Sequence, residues 1–163
     1  LASMARDIPE PPPELVEAYQ ALRAQTPSQA QRDETPIGEP SLDWPAADEA
    51  DQEVREVLAG LGLPAAPVPA DDKIVVAHGA GQHRRVYLER VETAAAGDSG
   101  WYFGPADGSE VAGYDGLRVA DVLTARPDLS PLLDLPAGCL VVLDGASLAA
   151  VLDPQNAQLW PVA

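Results

Sequence analysis

The sequence predicts an α+β fold: a small, largely antiparallel sheet with one or two packed helices, preceded by a proline-rich, partly helical arm. Three observations predict it. Strand-type runs recur from Lys73 to Leu143, and a helix-spaced run, Leu117–Leu123, interrupts them. Of the 17 prolines, 11 lie at or before Pro69. Residues 1–72 carry 15 acidic and four basic side chains, against 11 and six in residues 73–163. Pro64, Pro67 and Pro69 force extended chain, so the expected boundary falls between Pro64 and Asp72. Residues 1–72 then form the arm and residues 73–163 the domain, which is expected to fold without the arm.

Leu1-Ala2-Ser3 ahead of Met4 reads as an added leader and carries no fold signal. In the arm, Pro11-Pro12-Pro13 leads into a helix over 14–25, because proline suits a first helical turn and Glu14 and Glu17 suit its positive end. Leu15, Tyr19 and Leu22 share a face. Residues 26–45 are polar and proline-rich and are expected to hold little regular structure. A second helix is expected from Asp48 to Leu61, with Asp48 as cap, Val54, Val57, Leu58 and Leu61 as its apolar stripe, and Gly62 as its stop.

From Lys73 the pattern changes. Lys73–Ala77 and Arg85–Glu92 read as strands, and the turn His78–His83 between them predicts a β-hairpin. Trp101-Tyr102-Phe103 reads as an aromatic strand after a turn at Gly97–Gly100. A short helical turn is expected near Leu129–Leu133. Gly138–Leu143 is continuously apolar and reads as a central strand, closed by an Asp144-Gly145 turn.

Composition narrows the function classes. The chain has 163 residues and a net charge of −16, which repels nucleic acid and anionic membranes. One cysteine excludes an internal disulfide, and no apolar run approaches the ~20 residues of a membrane helix. These features point to a soluble, acidic, cytoplasmic protein. Cys139 lies in an apolar run, where the residue behaves as a small hydrophobe. His78 and His83 are too few for a metal site without carboxylates and read as a solvated turn. Gly79-Ala80-Gly81 with Arg84 and Arg85 lacks the Walker lysine and precedes a strand, so it reads as a turn bearing two exposed arginines. These arginines are the densest positive spot in the chain and could meet an acidic surface. No catalytic residue, metal or cofactor is implied.

Asp98-Ser99-Gly100-Trp101-Tyr102-Phe103 concentrates three of the eight aromatic residues after a turn. Read structurally, Trp101 and Phe103 share a core face, and Asp98 or Ser99 closes the turn through its own backbone. Read functionally, the turn and its aromatic edge belong to a recognition surface.

The ordered series Tyr87–Glu92, Asp98-Ser99-Gly100-Trp101, Gly108, Glu110, Tyr114, Val119–Ala125, Pro127–Leu133 and Pro136-Ala137-Gly138 resembles the bacterial immunity protein thirty-three family over about residues 73–145. That resemblance implies a noncatalytic protein-binding domain that neutralises a cognate toxin by occlusion, and the net charge of −16 fits a basic toxin. Asp98, Ser99, Trp101, Tyr102, Glu110 and Tyr114 are the expected partner-binding residues. Two other readings compete: a small-ligand sensor or enzyme with a pocket near Asp98–Trp101 and Tyr114, and a scaffold whose proline-rich arm recruits a partner.

Overall fold

The computed structural model describes residues 13–38, 52–92, 95–145 and 147–160. Three helices come first: α1 (Pro13–Gln25), α2 (Gln29–Asp33) and α3 (Gln52–Gly60). The strands are β1 (Lys73–Ala77), β2 (Arg85–Arg90), β3 (Asp98–Pro105), β4 (Tyr114–Arg118), β5 (Leu140–Asp144), β6 (Ser147–Leu152) and β7 (Gln158–Trp160). Helix α4 (Val119–Ala125) and two 3-10 turns, Pro127–Leu129 and Leu132–Asp134, lie between β4 and β5. The seven strands form one sheet in the order β4-β1-β3-β2-β5-β6-β7. Every pairing is antiparallel except β1 with β3. The fold is thus α+β with a largely antiparallel sheet.

The predicted hairpin of β1 and β2 does not form, because β3 lies between them. Their connection is no tight turn. It bends at Gly79, whose φ is +77°, then makes a 3-10 turn over Ala80–Gln82 with Ala80 buried. This longer path leaves a strand's width open. β2 and β3 are the antiparallel neighbours in chain order, and Gly97, at φ +81°, turns the chain into β3. The run Leu117–Leu123 also divides: Leu117 ends β4, and the helix begins at Val119.

Both faces of the central strands are covered. Trp101 and Phe103 of β3 face the α4 side, where the Trp101 indole donates to the Leu133 carbonyl at 3.1 Å and the Arg126 guanidinium lies 5.9 Å from the Phe103 ring centre. Arg90 of β2 donates on that face to the carbonyls of Ser99, Ala66 and Leu135 and stacks 5.9 Å from the Trp101 ring. Helix α1 covers the opposite face. Tyr19 and Leu22 are buried there, and the Tyr87 hydroxyl donates to the Leu22 carbonyl at 2.9 Å.

Arg23 of α1 ties three parts of the chain together. It donates to Glu89 at 2.7 Å, to Asn156 at 2.5 Å, and to the carbonyls of Gly138 and Asp153. Thr26 adds a 2.6 Å bond to the other Glu89 oxygen.

The polar stretch after α1 is more regular than its composition predicts. Ser28 caps α2 in a reciprocal box: its hydroxyl accepts from the Gln31 amide, and the Gln31 side chain accepts from the Ser28 amide at 2.8 Å. The serine–glutamine spacing was the available signal. Beyond α2, Ile37 bridges to Gly116 on the outer edge of β4, and Gly38 donates to the Gly116 carbonyl at 2.8 Å. Only glycine fits at 116, where a Cβ would collide with the Pro36 carbonyl. Helix α3 follows the predicted stripe at Val57, Leu58 and Leu61, which pack against the core, and Gly62 ends it at φ +68°. Asp48 and residues 39–45 lie outside the described residues.

Arg32 of α2 carries the deepest ion pair. Its side chain is 0% exposed and its fork grips Asp98, whose side chain is 3% exposed, with Nε at 3.0 Å from Oδ2. The same guanidinium donates to the Trp101 carbonyl at 3.0 Å. Removing one partner of such a pair leaves a bare buried charge, so Arg32→Met is expected to cost about 3–5 kcal/mol of unfolding free energy. Pairing it with Asp98→Asn should restore much of that loss, as urea titrations of the three variants will show. A fragment beginning near Pro69 is expected to keep a cooperative thermal transition at a lower temperature than the full chain, because it loses both arginine attachments. Burial alone would raise the Asp98 pKa, but the Arg32 fork, the Gly100 amide and Lys73 outweigh it and hold the group below its ordinary 3.8. The contribution is therefore complete above pH 3.8 and disappears as pH falls through the lower folded value. Acid titration of Asp98→Asn should show a shallower loss of stability in that window than the wild type.

Candidate functional site

Asp98, Ser99 and Gly100 form a bulge at the start of β3. The register with β1 shifts between Lys73 and Val75, and Gly100 adopts φ +85°. A bulge displaces backbone amides from the ladder, and here the side chains supply the missing acceptors. The Gly100 amide donates to Asp98 at 2.9 Å and the Trp101 amide to the Ser99 hydroxyl at 3.1 Å. Ser99 in turn donates to the Lys73 carbonyl at 2.6 Å, fastening the bulge to β1. The tetrapeptide Asp-Ser-Gly-Trp is thereby explained residue by residue. Asp98 takes Arg32 and the bulge amide, Ser99 joins two strands, Gly100 supplies the left-handed bend, and Trp101 fills the core.

Of the six expected contact residues, these strand positions lie inside the molecule. Trp101 is 0% exposed, Tyr102 1%, Ser99 4% and Asp98 7%. The Tyr102 ring lies along its own strand over Gly104, where a Cβ would strike the phenol. It meets Tyr87 and Tyr114 edge-on at 5.5 and 6.0 Å, and burial pushes its phenol pKa up. Tyr114 is half-buried at the outer end of this row, and Glu110 is exposed. Those two retain surface.

Exposed polar groups gather at one end of the sheet, where the β1–β2, β3–β4 and β5–β6 connections meet. His78 bonds Asp115 at 3.1 Å, His83 bonds Asp107 at 2.8 Å, and Arg84 bonds Asp144 at 2.5 Å. The Ser109 side chain lowers the Asp107 pKa most; with the His83 contact it brings the carboxyl to about 2. Asp107 closes the Asp107–Ser109 turn, and Glu110 follows it. These cross-loop pairs were invisible in the sequence, because their members are far apart in the chain. Arg85, expected to be exposed beside Arg84, is half-buried against α1.

Other chemistry finds little support. Burial pushes the Cys139 thiol up to about 11, which keeps it protonated and unreactive. Among the described residues no group of three or more His, Cys, Asp or Glu side chains could hold a metal. None of their helices is long and apolar enough to cross a membrane. A cleft of about 280 Å³ opens beside Asp98, between Pro36-Ile37 and Ala95–Gly97. Its lining includes neither Trp101 nor Tyr114, and its lysine, Lys73, donates to the Arg32 carbonyl at 2.5 Å.

Fold and site define an α+β domain whose motif residues build its interior and whose polar connections gather at one end of a seven-stranded sheet. The chain belongs to the Imm33-like domain family, whose model matches residues 53–154. The match begins in α3 and ends after β6, so it encloses the stretch on which the resemblance rests. Comparisons with curated proteins and with solved structures returned no match.

Trp101→Ala is expected to lower unfolding free energy by about 3–5 kcal/mol, measured by chemical denaturation, through lost packing and the abandoned Leu133 carbonyl.

Proposed function

We propose that this chain is a noncatalytic immunity protein that neutralises a cognate bacterial toxin by covering its active surface. Membership of the Imm33-like family over residues 53–154 carries this reading. The loop end of the sheet is the proposed contact surface, with Glu110, Tyr114 and Asp115 as its contributors. Tyr114 offers a partly exposed ring on a fixed strand, the kind of side chain that anchors interfaces at low entropic cost. Glu110 and Asp115 supply negative charge toward a basic partner. Asp98, Ser99, Trp101 and Tyr102 then act from within, by holding β3 and the Tyr102–Tyr114 contact in place. Occlusion needs no reacting group on the immunity protein.

The net charge of −16 supplies a long-range field for association. Co-expression with the product of the adjacent gene tests the reading: the two proteins should co-purify, and the immunity protein should restore growth to cells making the toxin. With that pair in hand, the association rate is expected to fall about tenfold as the Debye length shrinks from about 30 Å at 0.01 M salt to about 8 Å at 0.15 M, with a smaller change in dissociation. Glu110→Lys with Asp115→Lys should reproduce the slower association at low salt. An association rate flat across that range removes electrostatic steering from the mechanism.

A further inference from the structure

Four strands contribute one residue each to a row across the α1 face of the sheet. Tyr87 of β2 lies opposite Gly104 of β3, and Ala77 of β1 lies opposite Tyr114 of β4. The parallel register of β1 and β3 pairs Val76 with Phe103, so its next step sets Ala77 beside Gly104. The row therefore runs Tyr87, Gly104, Ala77, Tyr114, with a large ring at each end and the two smallest residue types between them. Glycine inside a strand weakens it, and its place in a buried central strand marks a close approach to the backbone.

Tyr102 makes that approach. It stands two residues before Gly104 and so on the same face. Its ring leans along β3 over Gly104 and meets Tyr87 at 5.5 Å and Tyr114 at 6.0 Å, edge-on in both cases. A Cβ at 104 would fall on the Tyr102 hydroxyl and ring carbons, so a side chain there displaces the ring. The inner end of the row is fixed by α1. The Tyr87 hydroxyl donates to the Leu22 carbonyl at 2.9 Å and lies 3.0 Å from the Thr26 hydroxyl. The outer end is Tyr114, half-buried, whose ring is backed by the fully buried Tyr102. A contact ring held in place before a partner arrives loses less freedom on binding.

We propose that Gly104 is a positioning residue for partner binding: with Ala77 it opens the slot in which Tyr102 lies, and Tyr102 fixes the ring of Tyr114 at the contact surface. Gly104 and Tyr102 act through Tyr114 and touch no partner themselves. The inference rests on the reading of Tyr114 as a contact residue.

The test uses the full chain, with the product of the adjacent gene as the binding probe. NMR of the tyrosine-labelled chain without the probe reads the Tyr114 ring directly, since the chain holds four tyrosines and Tyr114→Phe identifies its signals. Gly104→Ala and Tyr102→Leu are each expected to shift those signals, because the ring at 6.0 Å is displaced or lost. Each should weaken binding of the probe about tenfold, chiefly through faster dissociation. Tyr114→Ala should weaken it at least as much, and neither substitution should weaken it further once Tyr114→Ala is in place. If Gly104→Ala does not fold, Tyr102→Leu carries the same comparison. Tyr114 signals that stay in place, an affinity untouched by Tyr102→Leu, or losses that add in the double variants overturn the inference and leave Tyr114 a contact residue. No binding of the probe by the wild type, or an affinity unchanged by Tyr114→Ala, overturns the contact reading itself and the inference with it.

Discussion

The Arg32–Asp98 pair is the interaction on which the rest of the arrangement depends. It lies where α2, the start of β3 and the start of β1 converge. Asp98 serves this pair and the Gly100 amide at once, so the same carboxylate fixes α2 and the bulge. The bulge in turn aims Trp101 into the α4 face and Tyr102 into the α1 face. An acidic chain has few guanidinium groups, and this one places most of those it buries at junctions between segments distant in sequence. Burial of apolar surface holds the sheet together, while the arginines decide which segments lie against it.

Much of the fold could be read from periodicity. Continuous apolar runs at Lys73–Ala77 and Gly138–Leu143 belong to strands buried on both faces, and the stripe of α3 and the glycine after it behave as their chemistry dictates. What could not be read was strand order. Nothing local in His78–His83 reveals that another strand will occupy the gap between β1 and β2. The last strands were missed for a different reason: Ser147–Leu152 is small and apolar, without alternation, and Gln158–Trp160 is too short for a periodic signal. Helix α2 was passed over because composition outweighed the capping spacing of Ser28 and Gln31.

The site was legible as a motif but not in its meaning. Asp98-Ser99-Gly100-Trp101 stood out because its residue types are unusual together, and recognition and bulge-building both favour such residues. Geometry separates the two readings, since a left-handed glycine flanked by self-bonding side chains needs no partner to account for it. The surface contributors Glu110 and Asp115 carry no such local signature. Asp115 meets His78 only once the β1–β2 and β3–β4 connections are brought to the same end of the sheet.

The Arg23 contacts impose an order on the birth of the molecule. Helix α1 is made before any strand, yet its guanidinium closes on Asn156 and on the Asp153 carbonyl, in the turn that precedes β7. During vectorial synthesis α1 is therefore made long before it can be secured. β2 waits as well, since its partner β5 follows β3, β4 and α4 along the chain. Until then a strand edge and the apolar face meant for Tyr19 and Leu22 remain open to other chains. High contact order of this kind slows folding and makes the nascent chain dependent on protection until the ribosome has released the turn before β7.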